Sequence, residues 1–178
     1  MVQQVNFLTS EQSVRTLRIL LIALVLPVIG FSAFAMADKG IRQDGNQFIA
    51  IFGVFWAAAS IVARFGVPMI IVMNARKRIA DKLSDGQMHA DAADQAAEDN
   101  GSFGELVGVF HVKTIVAAAI LEGAAFLNAY FFWSEGHVLS ICAAGVLVAL
   151  VLTMIPTQHG IENWVEGEIA AIEQMRRI

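Results

Sequence analysis

Hydrophobic positions in this chain gather into four long runs separated by polar stretches. The first is Ile19–Ala37, ILLIALVLPVIGFSAFAMA, and the second is Phe48–Met73. The third runs over about Leu106–Trp133 and the fourth over about Val138–Pro156, VLSICAAGVLVALVLTMIP. A helix needs about 20 mostly apolar residues to cross the hydrocarbon core of a bilayer. None of the runs alternates with a period of two, which argues against a membrane β-barrel. With no water in the bilayer core, backbone groups must bond within the chain, and a helix does that locally. The pattern predicts an all-α integral membrane protein built as a four-helix bundle.

Beyond the fourth run the period changes. Ile161, Trp164, Val165, Ile169, Ile172 and Met175 recur at helical spacing, which predicts an amphipathic helix over 157–178. Glu162, Glu166, Glu168 and Glu173 are assigned to its polar face. Helices that lie on a membrane surface are usually basic there. An acidic face suits packing on protein, with the run Arg76, Lys77, Arg78 as the nearest basic candidate.

The chain thus divides into an N-terminal segment with a first hairpin (1–73), a polar connector (74–105), a second hairpin (106–156) and the amphipathic helix (157–178). The two hairpins look alike. Each second span ends near a proline, Pro68 or Pro156, and DKG (Asp38–Gly40) and SEG (Ser134–Gly136) occupy matching tips. A duplicated unit and the general likeness of membrane hairpins both account for this. In the connector, Asn74–Leu83 continues the helix of span two, whereas Asp85–Ser102 reads as solvated chain. Its acidic residues do not follow EF-hand spacing, so no calcium site is expected.

Composition agrees with the pattern. Hydrophobic residues make up 57% and charged residues 16%, against about 45–50% and about 25% in soluble domains. A net charge of −4 gives no reason to expect a nucleic-acid partner. The single cysteine, Cys142, has no partner in the chain. Lys and Arg distribute unevenly: Arg15, Arg18, Arg76, Lys77, Arg78, Lys82, Lys113, Arg176 and Arg177 fall on one side of four spans, and Lys39 and Arg42 on the other. The positive-inside bias then places both termini in the cytoplasm of a bacterial-type inner membrane. A second reading of the first span stays open. Arg15 and Arg18, an apolar region and Ala35-Met36-Ala37 also describe a cleavable signal peptide, although 19 apolar residues exceed its usual length of about 7–15.

Two ionisable residues lie well inside the spans, Arg64 and Glu122. Each costs about 2.5–3.5 kcal/mol at a helix centre, so each should face protein or water. Gly53, Ala57, Ser60 and Arg64 share one face of span two, and Ala118, Glu122, Ala125 and Ala129 share one face of span three. Small residues allow close helix approach in lipid. The opposite charges on these faces suggest either a structural ion pair or a protonatable carboxylate on an ion path. Depth decides whether they meet. Arg64 lies about 12 Å from Val72 and Glu122 about 14 Å from Lys113. If span three starts at Leu106 instead, Glu122 sits about 10 Å higher.

The segment AILEGAAFLNAYFF, 119–132, resembles the carboxylate segment of proteolipid subunits, the c-type rotor subunits of rotary ATPases. Glu122, Ala125 and Phe126 carry the match. The resemblance implies that Glu122 would be the ion-carrying carboxylate of a ring. It covers this segment alone, and Leu26 and Pro27 stand at the corresponding level of span one. As a whole the chain resembles small four-span bacterial membrane proteins, a likeness that brings no activity with it.

His111 and His159 lie near the same ends of spans three and four, where paired histidines can hold a haem or a metal. No phosphate loop, HExxH or nucleophile motif occurs, and neither cofactor nor metal is expected. The expectation is a non-enzymatic structural or accessory membrane component. Its partners would be the lipid bilayer and either further copies of itself or a larger membrane complex. The alternative is a proton- or cation-translocating protein using Glu122.

Overall fold

The computed structural model describes residues 2–40, 47–85 and 92–176. The remainder of the first hairpin's loop with Arg42, the connector residues 86–91 with His89, and Arg177 lie outside the described residues. Five helices follow one another: α1 (Val2–Lys39), α2 (Gln47–Asp85), α3 (Ala92–Glu135), α4 (Val138–Leu152) and α5 (Gln158–Arg176). Among the described residues there is no strand, so the chain is all-α.

Three helices are long and apolar enough to cross a membrane, within Val14–Lys39, Gln47–Asp81 and Gly104–Glu135. The fourth apolar run folds as the 15-residue α4, which rises only about 22 Å at about 1.5 Å per residue. It stops because Thr153–Ile155 turn and Pro156 cannot continue a helix. α1 is unbroken through Ala35-Met36-Ala37. α2 continues past Met73 to Asp85, as the sequence suggested in part. α3 starts at Ala92, well before Leu106, so much of the stretch read as solvated chain is helical. Its Ala, Gln and Glu residues favour helix whether or not a core receives them.

α1 and α3 end alike. Gly40 and Gly136 have positive φ, and their N–H groups donate to Met36 O at 3.1 Å and Phe132 O at 2.6 Å. This is the αL helix cap. His137 caps α4, its Nδ1 accepting from Leu139 N–H.

Contacts divide the chain into two compact units. One comprises Arg18–Val67 and Thr114–Ile155. Its core joins Leu21, Val25 and Val28 of α1, Ala57 of α2, Ala118, Leu121, Ala124 and Ala125 of α3, and Leu147 and Val151 of α4. α3 is the central element: 44% of its apolar window is buried, against 22% for each of α1 and α2.

The other unit comprises Met1–Leu17, Pro68–Lys113 and Pro156–Ile178. Val14, Ile79, Leu106 and Val107 pack there with Ile161, Val165 and Ile172 of α5. α5 is amphipathic as expected, with one correction. Glu168, assigned to the polar face, is buried. It stands seven residues after Ile161 and three after Val165, on the buried stripe itself. Met175, assigned to the apolar stripe, is exposed.

Candidate functional site

In the unit of Arg18–Val67 and Thr114–Ile155, the two faces built of small residues are placed as their spacing implies. Ala57 and Ser60 are buried on α2, and Ala118, Ala125 and Ala129 on α3. Gly53 is buried with them, where α3 comes close to the α2 backbone. A Cβ added there would lie 2.5 Å from Asn128 Oδ1 and 3.1 Å from Phe131 Cδ2. Asn128 is fully buried. Its Nδ2 donates to Gly53 O at 3.1 Å and to Ala124 O at 2.9 Å. Its Oδ1 accepts no hydrogen bond and faces the Gly53 Cα, where a weak Cα–H···O contact is available. Asn128 therefore ties α3 to α2 through a bare backbone. The sequence signal for it was present: a polar residue at helical spacing from Leu121, Ala124 and Ala125 in an otherwise apolar run.

The same register explains what becomes of Arg64 and Glu122. α2 and α3 run antiparallel from the Gly53–Asn128 contact. Arg64, eleven residues along α2, is therefore level with Ala117, about 7.5 Å short of Glu122. Glu122 also lies about 120–180° around α3 from Asn128 and Phe131 at 3.6 residues per turn, on the flank away from α2. Both side chains are half-buried, yet among the described residues no ion pair or hydrogen bond joins them. Arg64 instead holds its guanidinium 5.3 Å from the centre of the Phe65 ring. Small-residue spacing locates the packing face of a helix, but a face on a central helix can serve a different neighbour, and here it does.

That neighbour is α1. Phe126 stacks on Phe31 at 5.0 Å between ring centres, and Trp133 Nε1 donates to Asp38 Oδ2 at 3.1 Å. Lys39 lies 5.6 Å over the same indole. The offset between partners is 95 residues in both contacts, so α1 and α3 run parallel in a fixed register. Glu122 is one turn before Phe126, and Pro27 is one turn before Phe31. Glu122 and Pro27 thus fall at one level along the two helices, with Pro27 exposed.

No family model matches the sequence, and no curated protein or solved structure matches it.

In the unit containing α5, Arg76 makes a two-pronged contact with Glu168. Nε donates to Oε2, and Nη2 donates to Oε1 at 2.9 Å. Such bidentate guanidinium–carboxylate pairs are strong and directional. Lys113 places its ammonium 3.5 Å over Trp164 and 4.6 Å over Phe110, a cation–π sandwich. Arg78 pairs with Glu105 at 2.8 Å. An acidic amphipathic helix is thus held by the basic end of α2, as its charge suggested. His111 is half-buried on α3 and His159 exposed at the start of α5. Among the described residues no group of three or more His, Cys, Asp or Glu could hold a metal.

Proposed function

We propose that this chain is a multi-pass protein of a cytoplasmic membrane. It crosses four times, with α4 as the shortest crossing and both ends in the cytoplasm. It serves as a non-enzymatic structural or accessory component that assembles with further copies or with a larger membrane complex. The observation that supports this is the apolar surface left open on the long helices. Phe48, Ile51, Phe55, Val62, Phe65 and Met69 of α2 are all more than half exposed, a face that water does not tolerate but lipid or another membrane helix covers. The basic end of α2 beside α5 supports the orientation. Intact-mass measurement of the complex in mild detergent, after alkaline carbonate washing of the membranes, tests the proposal. Retention in the washed membrane and a mass of several copies, or of a copy with a stoichiometric foreign subunit, are expected. Release by carbonate overturns the membrane assignment, and a monomer overturns the assembly role.

A second reading is favoured by one observation, the half-buried Glu122 with no hydrogen bond or ion pair among the described residues. It makes Glu122 the carrier of a proton or cation. Reconstitution into liposomes tests it: folded Glu122→Gln protein with undiminished flux, or wild type with none, removes it.

A further inference from the structure

We infer that Arg76 of α2 and Lys113 of α3 form a binding site for a phosphate group at the membrane boundary, and that the headgroup of an anionic lipid supplies it. The inference rests on the membrane-spanning reading and adds a class of lipid that the chain selects from its bilayer.

Charge balance is the first observation. Arg76, Lys113 and Glu168 lie in the unit containing α5, and both Arg76 and Glu168 act electrostatically on Lys113. Glu168 is buried and its two oxygens are taken up by Nε and Nη2 of Arg76. One carboxylate offsets one of the two cations, so a full positive charge is left over. The neighbouring Arg78 has its own partner in Glu105 and does not change the balance. Open donors are the second observation. The Lys113 ammonium lies 3.5 Å from the centre of the Trp164 ring and 4.6 Å from that of Phe110. Ring faces attract the charge but offer no oxygen to its N–H groups. Among the described residues Lys113 makes no hydrogen bond or ion pair, and Nη1 of Arg76 has no acceptor. Neither nitrogen is sealed inside the protein, and the Arg76 side chain is 35% exposed. Guanidinium and ammonium donors together suit the oxygens of a phosphate.

Depth is the third observation. Residues 114–133 form an apolar run with Glu122 as its one charged residue, and about 20 such residues cross the hydrocarbon. Lys113 therefore stands at the edge of that run, and Arg76 follows Met73, where the apolar run of α2 ends. On the proposed orientation this is the cytoplasmic headgroup level, where basic pockets between helices hold anionic lipids. Trp164 suits the same level, since its amphipathic ring favours the interface. The leftover positive charge selects a headgroup of net negative charge. A choline headgroup would bring a second cation beside Lys113.

Native mass spectrometry of the full chain tests the site, after extraction into mild detergent from bilayers of equal phosphatidylglycerol and phosphatidylcholine. Preferential retention of phosphatidylglycerol is expected. Lys113→Gln should reduce it about tenfold, the worth of one charge-assisted contact, and Lys113→Arg should keep it. Lys77→Gln, at an exposed cation next to Arg76, should leave it unchanged. Equal retention of the two lipids overturns the site, as do equal losses in Lys113→Gln and Lys77→Gln. A second measurement does not depend on the folding of the glutamine variant. In phosphatidylglycerol bilayers, solid-state NMR of the nitrogen-labelled wild type should show dipolar coupling of lipid phosphorus to the Lys113 Nζ, and its absence overturns the site. The source of the phosphate is read from lipid-stripped protein, whose melting temperature should rise with phosphatidylglycerol and not with inorganic phosphate. A rise with inorganic phosphate alone keeps the phosphate chemistry and overturns the lipid as its source. A chain that carbonate leaves in the membrane but that holds no preference for phosphatidylglycerol refutes this site and leaves the membrane reading standing.

Discussion

Replacing Gly53 by alanine would put a methyl group 2.5 Å from Asn128 Oδ1 and 3.1 Å from Phe131. Asn128 has no room to yield, since it is fully buried and already spans two carbonyls. Overpacking of this kind costs about 1–3 kcal/mol. Loss of the Asn128–Gly53 hydrogen bond adds about 0.6 kcal/mol, the average for such bonds in membranes. Alanine recovers about 1 kcal/mol through its better helix propensity. The net expectation is a destabilisation of about 0.6–2.6 kcal/mol, read from unfolding by SDS titration in mixed micelles. The decisive comparison is a cycle with Asn128→Ala. With that side chain gone the added methyl meets only Phe131, so Gly53→Ala should cost at least about 1 kcal/mol less than in wild type. Additive effects of the two substitutions would refute the close approach of α2 and α3 at this point, and with it the register that separates Arg64 from Glu122.

Arg76→Ala leaves the buried Glu168 without its bidentate partner and should destabilise by about 3 kcal/mol, the low end for broken buried pairs because Arg76 is partly exposed and Lys113 still acts on the carboxylate; faster hydrogen exchange in α5 checks it. Neutralising Arg78, whose side chain is 62% exposed, should cost less than about 1 kcal/mol in the same assay. Trp164→Leu removes one wall of the Lys113 sandwich and should cost about 1–2 kcal/mol, measured by thermal unfolding in detergent. Cys142 is exposed on α4, but to lipid on the proposed reading, so a membrane-impermeant thiol reagent should modify it only after solubilisation in denaturant.

Three of the long apolar helices and most of the α5 stripe were legible because membrane and core burial both act on periodic apolar positions. Gly53, Ala57, Ser60, Ala118, Ala125 and Ala129 follow from the same logic: small side chains mark where helices touch. What was not legible involves either angle or partner. Glu168 was sorted by its charge, although its spacing from Ile161 and Val165 put it on the buried stripe, where Arg76 neutralises it. Asn128 stood out as polar, but nothing local showed that Gly53, 75 residues away, would offer a carbonyl. The Arg64–Glu122 pairing assumed that opposite charges at similar depth on neighbouring helices face each other. Depth is readable from hydropathy, whereas azimuth around a central helix depends on all its neighbours.

The Gly53–Asn128 contact also has a chronology. At about 5–20 residues per second, the ribosome needs about 4–15 s to make the 75 residues that separate them. Through that interval the newborn α1–α2 hairpin holds Ser60 and Arg64 on a face whose partner does not yet exist. On the proposed membrane reading, either the insertion machinery shelters that face until α3 emerges, or the nascent hairpin must tolerate it against acyl chains. Synthesis order therefore makes the arrival of α3 the moment at which the first half of the protein becomes committed to its final packing.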